Sequence, residues 1–180
     1  VILILCTFQL LVAQKKDKDK SKDFDSKLKT MQESKGMITT YFKEDKLFFK
    51  IPEDLLEKDL LMVTRLKKLP ANYNPYRNAG SKTSEQLIHF VKTGNDIDLI
   101  QVSTTNIADE NDPSNISVEQ NNNNPILASF PIKSDKKKEY VIDVSKFFNA
   151  DSPSFNIISE RVKKRYKIGR LDNDRSRIDS

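Results

Sequence analysis

One cysteine, one histidine and four glycines in 180 residues close off several kinds of chemistry before any pattern is sought. Cys6 stands inside the apolar opening segment, so the rest of the chain holds no thiol and no disulfide can form within it. A zinc site takes three or four nitrogen or sulfur ligands; His89 alone cannot build one, and no H-E-x-x-H motif is present. His89 falls between Ile88 and Phe90 in a strand-like run, which reads as a structural histidine, half-buried or turned outward. The few glycines form no phosphate-cradling loop, and no serine sits in a G-x-S-x-G elbow that would make it a nucleophile. Charge of one sign does not dominate either. The 31 basic and 26 acidic residues leave +5, with both signs interspersed, which is an ordinary surface and not that of a dedicated polyanion binder.

Long apolar runs are also missing. The longest, VILILCTFQLLVA (1–13), is shorter than the about 20 residues that a membrane span requires. It reads as the hydrophobic region of a signal peptide present only in part, with Ala13 last before cleavage and Gln14 first in the mature chain. A lipid anchor on Cys6 is disfavoured, because Leu5 stands where a small residue is needed. QKKDKDKSKD (14–23) alternates charge with no apolar residue and reads as a solvated linker; its interleaved aspartates cancel much of the field of a basic arm.

What remains has a hydrophobic content of 37% beside 32% charged residues, enough for a lean core. Its most regular stretch is KLFFKIPEDLLEKDLLMVTRLKK (46–68). Leu47, Phe49 and Ile51 alternate with Phe48 and Lys50, which predicts a strand over Lys46–Ile51. Pro52 ends it, and Pro-Glu-Asp opens a helical turn within the corner Pro52–Lys58. A second strand, Asp59–Lys67, begins with the unbroken apolar run Leu60–Val63, the pattern of a strand covered on both faces. Upstream, Phe24, Leu28 and Met31 predict a short helix over Phe24–Lys35, broken at Gly36, and Met37–Phe42 predicts a strand that turns at Glu44-Asp45.

Downstream, Pro70–Ser84 reads as a loop carrying Tyr73, Tyr76 and Arg77, a lid on its own scaffold or a binding lip. Glu85–Lys92 and Ile97–Thr104 flank a Gly-centred turn and predict an antiparallel pair beside the two strands of 46–67. Ser114–Gln120 reads as a short helix capped by Asp112-Pro113, Asn121–Asn124 as a turn, and Ile126–Ile132 as a strand whose Pro131 argues for an edge. Glu139–Val144 is a further strand, Ser145–Phe148 a helical start, and Ile157–Lys167 a basic helix ended by Gly169. The expected fold class is therefore mainly β (α+β), an antiparallel sheet or sandwich-like scaffold with a few short helices, truncated at both ends. Its organisation is expected to be a partial signal peptide over 1–13, a charged linker over 14–23, a small amino-terminal domain over 24–69, and over 70–180 the start of a larger β-rich domain that is incomplete.

Two residue clusters invite a ligand. Asp109, Glu110 and Asp112 suggest calcium, but counting from Asp109 an EF-hand loop would need Gly and Glu where Ser114 and Gln120 stand, so a solvated loop is the better reading. Arg161, Lys163, Lys164 and Arg165, with Tyr166, suggest nucleic acid, but one aromatic and an opposing Glu160 give that little support. Asn115-Ile116-Ser117 fits a glycosylation sequon, which matters only in a eukaryotic secretory route. No catalytic, cofactor-binding or metal-ligating residue is assigned.

The order of blocks KGMITTYFKEDKLFFKIPEDLLEKDLLMVTRL, NIADENDPSN, NNNNPILASFPI, YVIDVSKFF and YKIGRLDNDRS, from Lys35 onward, resembles the amino-terminal half of a family of large secreted bacterial zinc-dependent metalloproteases. In that family a signal peptide precedes two β-rich domains of unknown function, and a metalloprotease domain with an extended H-E-x-x-H motif follows. The resemblance implies a non-catalytic portion of an exported metallopeptidase, hydrolase chemistry and zinc in a downstream domain of the same chain, and no cofactor here. It implies that downstream domain as partner, with a peptide or protein substrate, and neither nucleic acid nor a stable membrane span. Export would take the protein to the periplasm, outer membrane or exterior. The competing expectation is an exported β-rich binding module without enzymatic activity.

Overall fold

The computed structural model describes residues 24–68, 78–103, 109, 111–113, 115–156, 158, 160–172 and 174–179. The segments 1–13 and 14–23, and Tyr73, Tyr76, Arg77 and Glu110, lie outside these. Among the described residues the architecture is mainly β and antiparallel, with eight strands and a few short helices, as the alternating patterns predict. The chain forms two compact units that do not follow chain order. Of the described residues, one comprises those up to Asp54 together with Phe130–Ser145 and 178–179; the other comprises those between Leu55 and Ser129 and between Lys146 and Arg177.

In the first unit, helix α1 (24–28) is followed by β1 (Gln32–Ser34), β2 (Thr39–Lys43) and β3 (Lys46–Pro52). The later strands β7 (Ile126–Lys136) and β8 (Glu139–Asp143) join them, in the order β1-β2-β3-β8-β7. Turn residues Glu44 and Asp45 link β2 to β3, with Glu44 in the left-handed region at φ 55°. Register places Tyr41 opposite Phe48 and Lys50 opposite Val141, so these four share one face. Leu28 of α1 buries there against Tyr41, Phe48 and Val141, and Phe24 meets Phe48 edge to face with ring centroids 5.3 Å apart. On the opposite face Phe49 pairs with Ile142 and Ile51 with Tyr140; Ile51 and Ile142 are wholly buried.

In the second unit, β4 (Leu60–Arg65) pairs with β5 (Lys82–Thr93), which pairs with β6 (Asp96–Val102). Gly94 takes φ 61° at the first central position of the two-residue β5–β6 turn, a conformation that costs glycine nothing. Leu60, Ile88, Phe90, Ile97 and Leu99 are the buried apolar residues of these strands. Helices α2 (Asn115–Asn121), α3 (Ser145–Phe148) and α4 (Glu160–Tyr166) follow. Phe147, Phe148 and Phe155 pack as a cluster of rings with centroids 5.2–5.9 Å apart. Below them the Ser154 carbonyl accepts hydrogen bonds from Ser84 Oγ at 3.0 Å and Gln86 Nε2 at 2.8 Å, fastening this segment to β5.

Five sequence expectations are corrected. Two-sided burial belongs to β3, not to β4: Leu60 is buried, whereas Leu61 is 59% and Val63 39% exposed. An unbroken apolar run shows which residues are apolar, not how many faces have a partner. The antiparallel pair expected beside Lys46–Ile51 is not its neighbour; β3 is flanked by β2 and β8. The helix expected to run to Lys35 stops at residue 28, because Gln32–Ser34 gain ladder hydrogen bonds by pairing with Thr40–Phe42. Helix α4 spans Glu160–Tyr166 and is closed before Gly169: Lys167 takes φ 53°, and the Ile168 amide bonds the Lys163 carbonyl at 2.9 Å, a Schellman-type stop. Nor does Pro131 mark an edge: in the strand order β7 stands between β8 and β6, and the proline is tolerated because it precedes Ile132, the first β7 residue paired with β8, so its missing N–H removes no bond from that ladder.

Candidate functional site

A cleft of about 590 Å³ opens between α1 and the α1-facing side of the first unit's sheet. Its polar walls follow from register. Lys50 stands beside Tyr41 on the same face, and β8 brings Glu139 within reach on the neighbouring strand. Lys50 Nζ lies 3.2 Å from Glu139 Oε2, and the Tyr41 hydroxyl donates to Glu33 Oε1 at 3.0 Å. On the opposite wall Ser134 Oγ donates to Asp25 Oδ1 at 3.0 Å, and Lys136 forms an ion pair with the other oxygen of Asp25. Asp25 thereby ties α1 to β7.

These contacts set the protonation states. Burial disfavours the Lys50 ammonium, but its hydrogen bond to Glu139 and the neighbouring Tyr41 outweigh it, so the amine titrates above the ordinary lysine range. Burial pushes the Tyr41 phenol up, and the hydrogen bond it donates to Glu33 pushes the same way. For Asp25, burial raises while the bonds from Lys136 and Ser134 lower, and the net effect is a carboxyl below its usual range. The cleft thus sets a protonated Lys50 and a neutral Tyr41 on one wall and an ionised Asp25 on the other. It can hold a ligand by charge and hydrogen bonding.

A second cleft of about 710 Å³ lies in the other unit. Gln86, Gln101, Asn121 and Asn122 line it together with Glu85, Leu61 and Val102. Asn124 Oδ1 accepts from the Ser103 amide at 2.9 Å, and the Pro125 carbonyl accepts from the Gln101 amide at 3.0 Å, which holds the asparagine-rich turn against β6.

The residues singled out in the sequence fall apart from these clefts. His89 lies in β5 with its side chain 25% exposed, and its Nε2 is paired with Asp59. Asp109 Oδ1 accepts from the Asn111 amide at 2.9 Å, so that carboxylate closes its own turn. Helix α2 begins at Asn115, and the Asn115 amide bonds the Asp112 carbonyl at 2.9 Å. Lys163 is only 13% exposed and is held by Asp151 and by Glu160, the latter at 2.9 Å, leaving Arg161, Lys164 and Arg165 on the outer surface of α4. Among the described residues no three His, Cys, Asp or Glu side chains gather as a group that could hold a metal ion. Nothing local marked the Lys50–Glu139 cleft, since its two walls come from distant parts of the chain.

A mainly β, antiparallel scaffold with charged and amide-lined clefts defines the class. Over residues 80–180, more than half its length, the chain matches the family model described as Domain of unknown function (DUF5117), and it belongs to that family. Residues 21–69 match a second model, Domain of unknown function (DUF5118). No curated protein and no solved structure matches the chain.

Proposed function

We propose that this chain is a non-catalytic part of an exported zinc-dependent metallopeptidase, packing on or orienting a catalytic domain carried elsewhere in the same polypeptide. The observation that carries this reading is the ordered series of blocks from KGMITTYF to YKIGRLDNDRS. The matches over 21–69 and 80–180 fall on these same blocks as two consecutive units of unknown function. On this reading zinc and its general base belong to the catalytic domain.

The test is hydrolysis of casein by the polypeptide that the whole gene encodes, against the same assay on this chain alone. The whole product is expected to cleave casein and to lose activity on chelation. This chain alone is expected to do neither and to retain no stoichiometric zinc. A complete gene product without H-E-x-x-H, or chelator-sensitive cleavage by this chain alone, overturns the reading.

A further inference from the structure

The densest run of positive charge in this protein lies near residue 165. Residues 161–171, RVKKRYKIGRL, contain six basic residues and no acid. Taking those six from the 31 basic residues leaves 25 against 26 acidic ones, so the remainder is close to neutral. The structure then sorts five of the six. Lys163 is turned inward to Asp151 and Glu160. Arg161 and Lys164 stand three residues apart on the outer face of α4, and Lys167 and Arg170 are exposed in the segment that follows. In that same segment Ile168 is 42% and Leu171 41% exposed, so aliphatic side chains alternate with cations where the chain leaves the helix.

We propose that 161–171 is a docking surface for an anionic phospholipid bilayer, with Arg161, Lys164, Lys167 and Arg170 on the headgroup phosphates and Ile168 and Leu171 entering the interface. Charge complementarity requires an anionic partner, and the two exposed aliphatics select among anionic partners. A nucleic-acid backbone offers phosphates without hydrocarbon, whereas the headgroup boundary offers both within a few ångströms. No described helix is long and apolar enough to cross a membrane, and the attachment proposed is through these surface side chains. The inference stands independently of the peptidase reading.

The experiment is co-sedimentation of the full chain with vesicles of phosphatidylglycerol and phosphatidylcholine, and with vesicles of phosphatidylcholine alone, at low and high salt. Any insertion of the apolar stretch 1–13 is common to all variants and independent of headgroup charge, so variants isolate the patch. The triple variant Lys164→Glu, Lys167→Glu, Arg170→Glu is expected to lose about 100-fold in partitioning to phosphatidylglycerol, at roughly fivefold or more per cation, and nothing on phosphatidylcholine. All three positions are exposed, and an unchanged circular-dichroism spectrum checks the fold. The double variant Ile168→Ala, Leu171→Ala, which keeps every charge, is expected to lose several-fold. Equal phosphatidylglycerol binding by the triple variant overturns the proposal. So does an unaltered double variant, or tighter binding of duplex DNA or polyglutamate than of phosphatidylglycerol at the same salt, each of which points to a purely ionic partner.

Discussion

Lys50 of β3 reaches Glu139 of β8 at 3.2 Å, on the diagonal from its direct cross-strand partner Val141. The pair is half-buried, the lysine side chain 24% and the glutamate 39% exposed, and it joins the amino-terminal strands to the β7–β8 hairpin. Glu139→Gln keeps the shape and removes the charge, leaving the ammonium in a partly desolvated place with a weaker acceptor. Stability is expected to fall by about 1 kcal/mol, measured by urea unfolding. Because the folded state holds the Lys50 and Tyr41 protons more tightly than the unfolded chain, their contribution is complete below the ordinary pKa values near 10 and is lost as pH rises through the raised ones. Unfolding midpoints are therefore expected to decline above about pH 10, and less so in Lys50→Met.

Asp25 gives the opposite arm. Its carboxyl is lowered by Lys136 and Ser134, so the unfolded chain binds the proton more readily. The contribution is complete above the ordinary carboxylate value of 3.8 and disappears as pH falls through the lowered one. The α1 segment is expected to loosen first in this window, read as faster amide exchange at Leu28 than at Ile142. Asp25→Asn is expected to show that faster exchange at neutral pH and to lose its dependence on acid.

Leu60 and Leu61 are neighbours with opposite fates, 8% and 59% exposed. Leu60→Ala is expected to cost about 3 kcal/mol through lost transfer energy and the cavity left behind. Leu61→Ala is expected to change stability by less than about 0.5 kcal/mol. Equal costs by urea unfolding would mean that β4 is covered on both faces after all.

The β7–β8 turn is made by Lys137 and Lys138, both left-handed at φ 54° and 61°. Two consecutive positive φ values define the type I′ geometry that Asn-Gly adopts without strain, whereas a side-chain-bearing residue there pays about 1 kcal/mol or more. Lys137→Asn combined with Lys138→Gly is expected to raise stability by about 1 kcal/mol and the thermal midpoint by a few degrees. The exposed Lys138–Glu53 ion pair that this removes, 82% exposed on the lysine side, is too solvated to offset the gain.

How much of this was legible in the chain differs from element to element. The β2–β3 hairpin at Glu44-Asp45, the β5–β6 hairpin at Gly94-Asn95 and the 3₁₀ turn Glu53–Leu55 after Pro52 all sit where local patterns put them. Each depends on residues within a few positions of one another, through alternation or through a residue that fixes φ. The cleft was not legible, because Lys50 is one more outward lysine until β8 lies beside β3 and supplies Glu139. Nor was the end of α4, where Lys167 accepts a left-handed conformation that glycine would have advertised.

Residue order alone therefore settles the strand-rich class, the short helices and the tight turns, since steric limits and side-chain alternation act over one or two residues. It also places a run of cations at 161–171, a matter of composition. Which faces are covered, which strands are neighbours and which lysines meet carboxylates were decided only in three dimensions. Pairing β3 with β8, and closing α1 over Phe48, brings together groups that no local rule connects, and burial then determines which of their charges stay fixed.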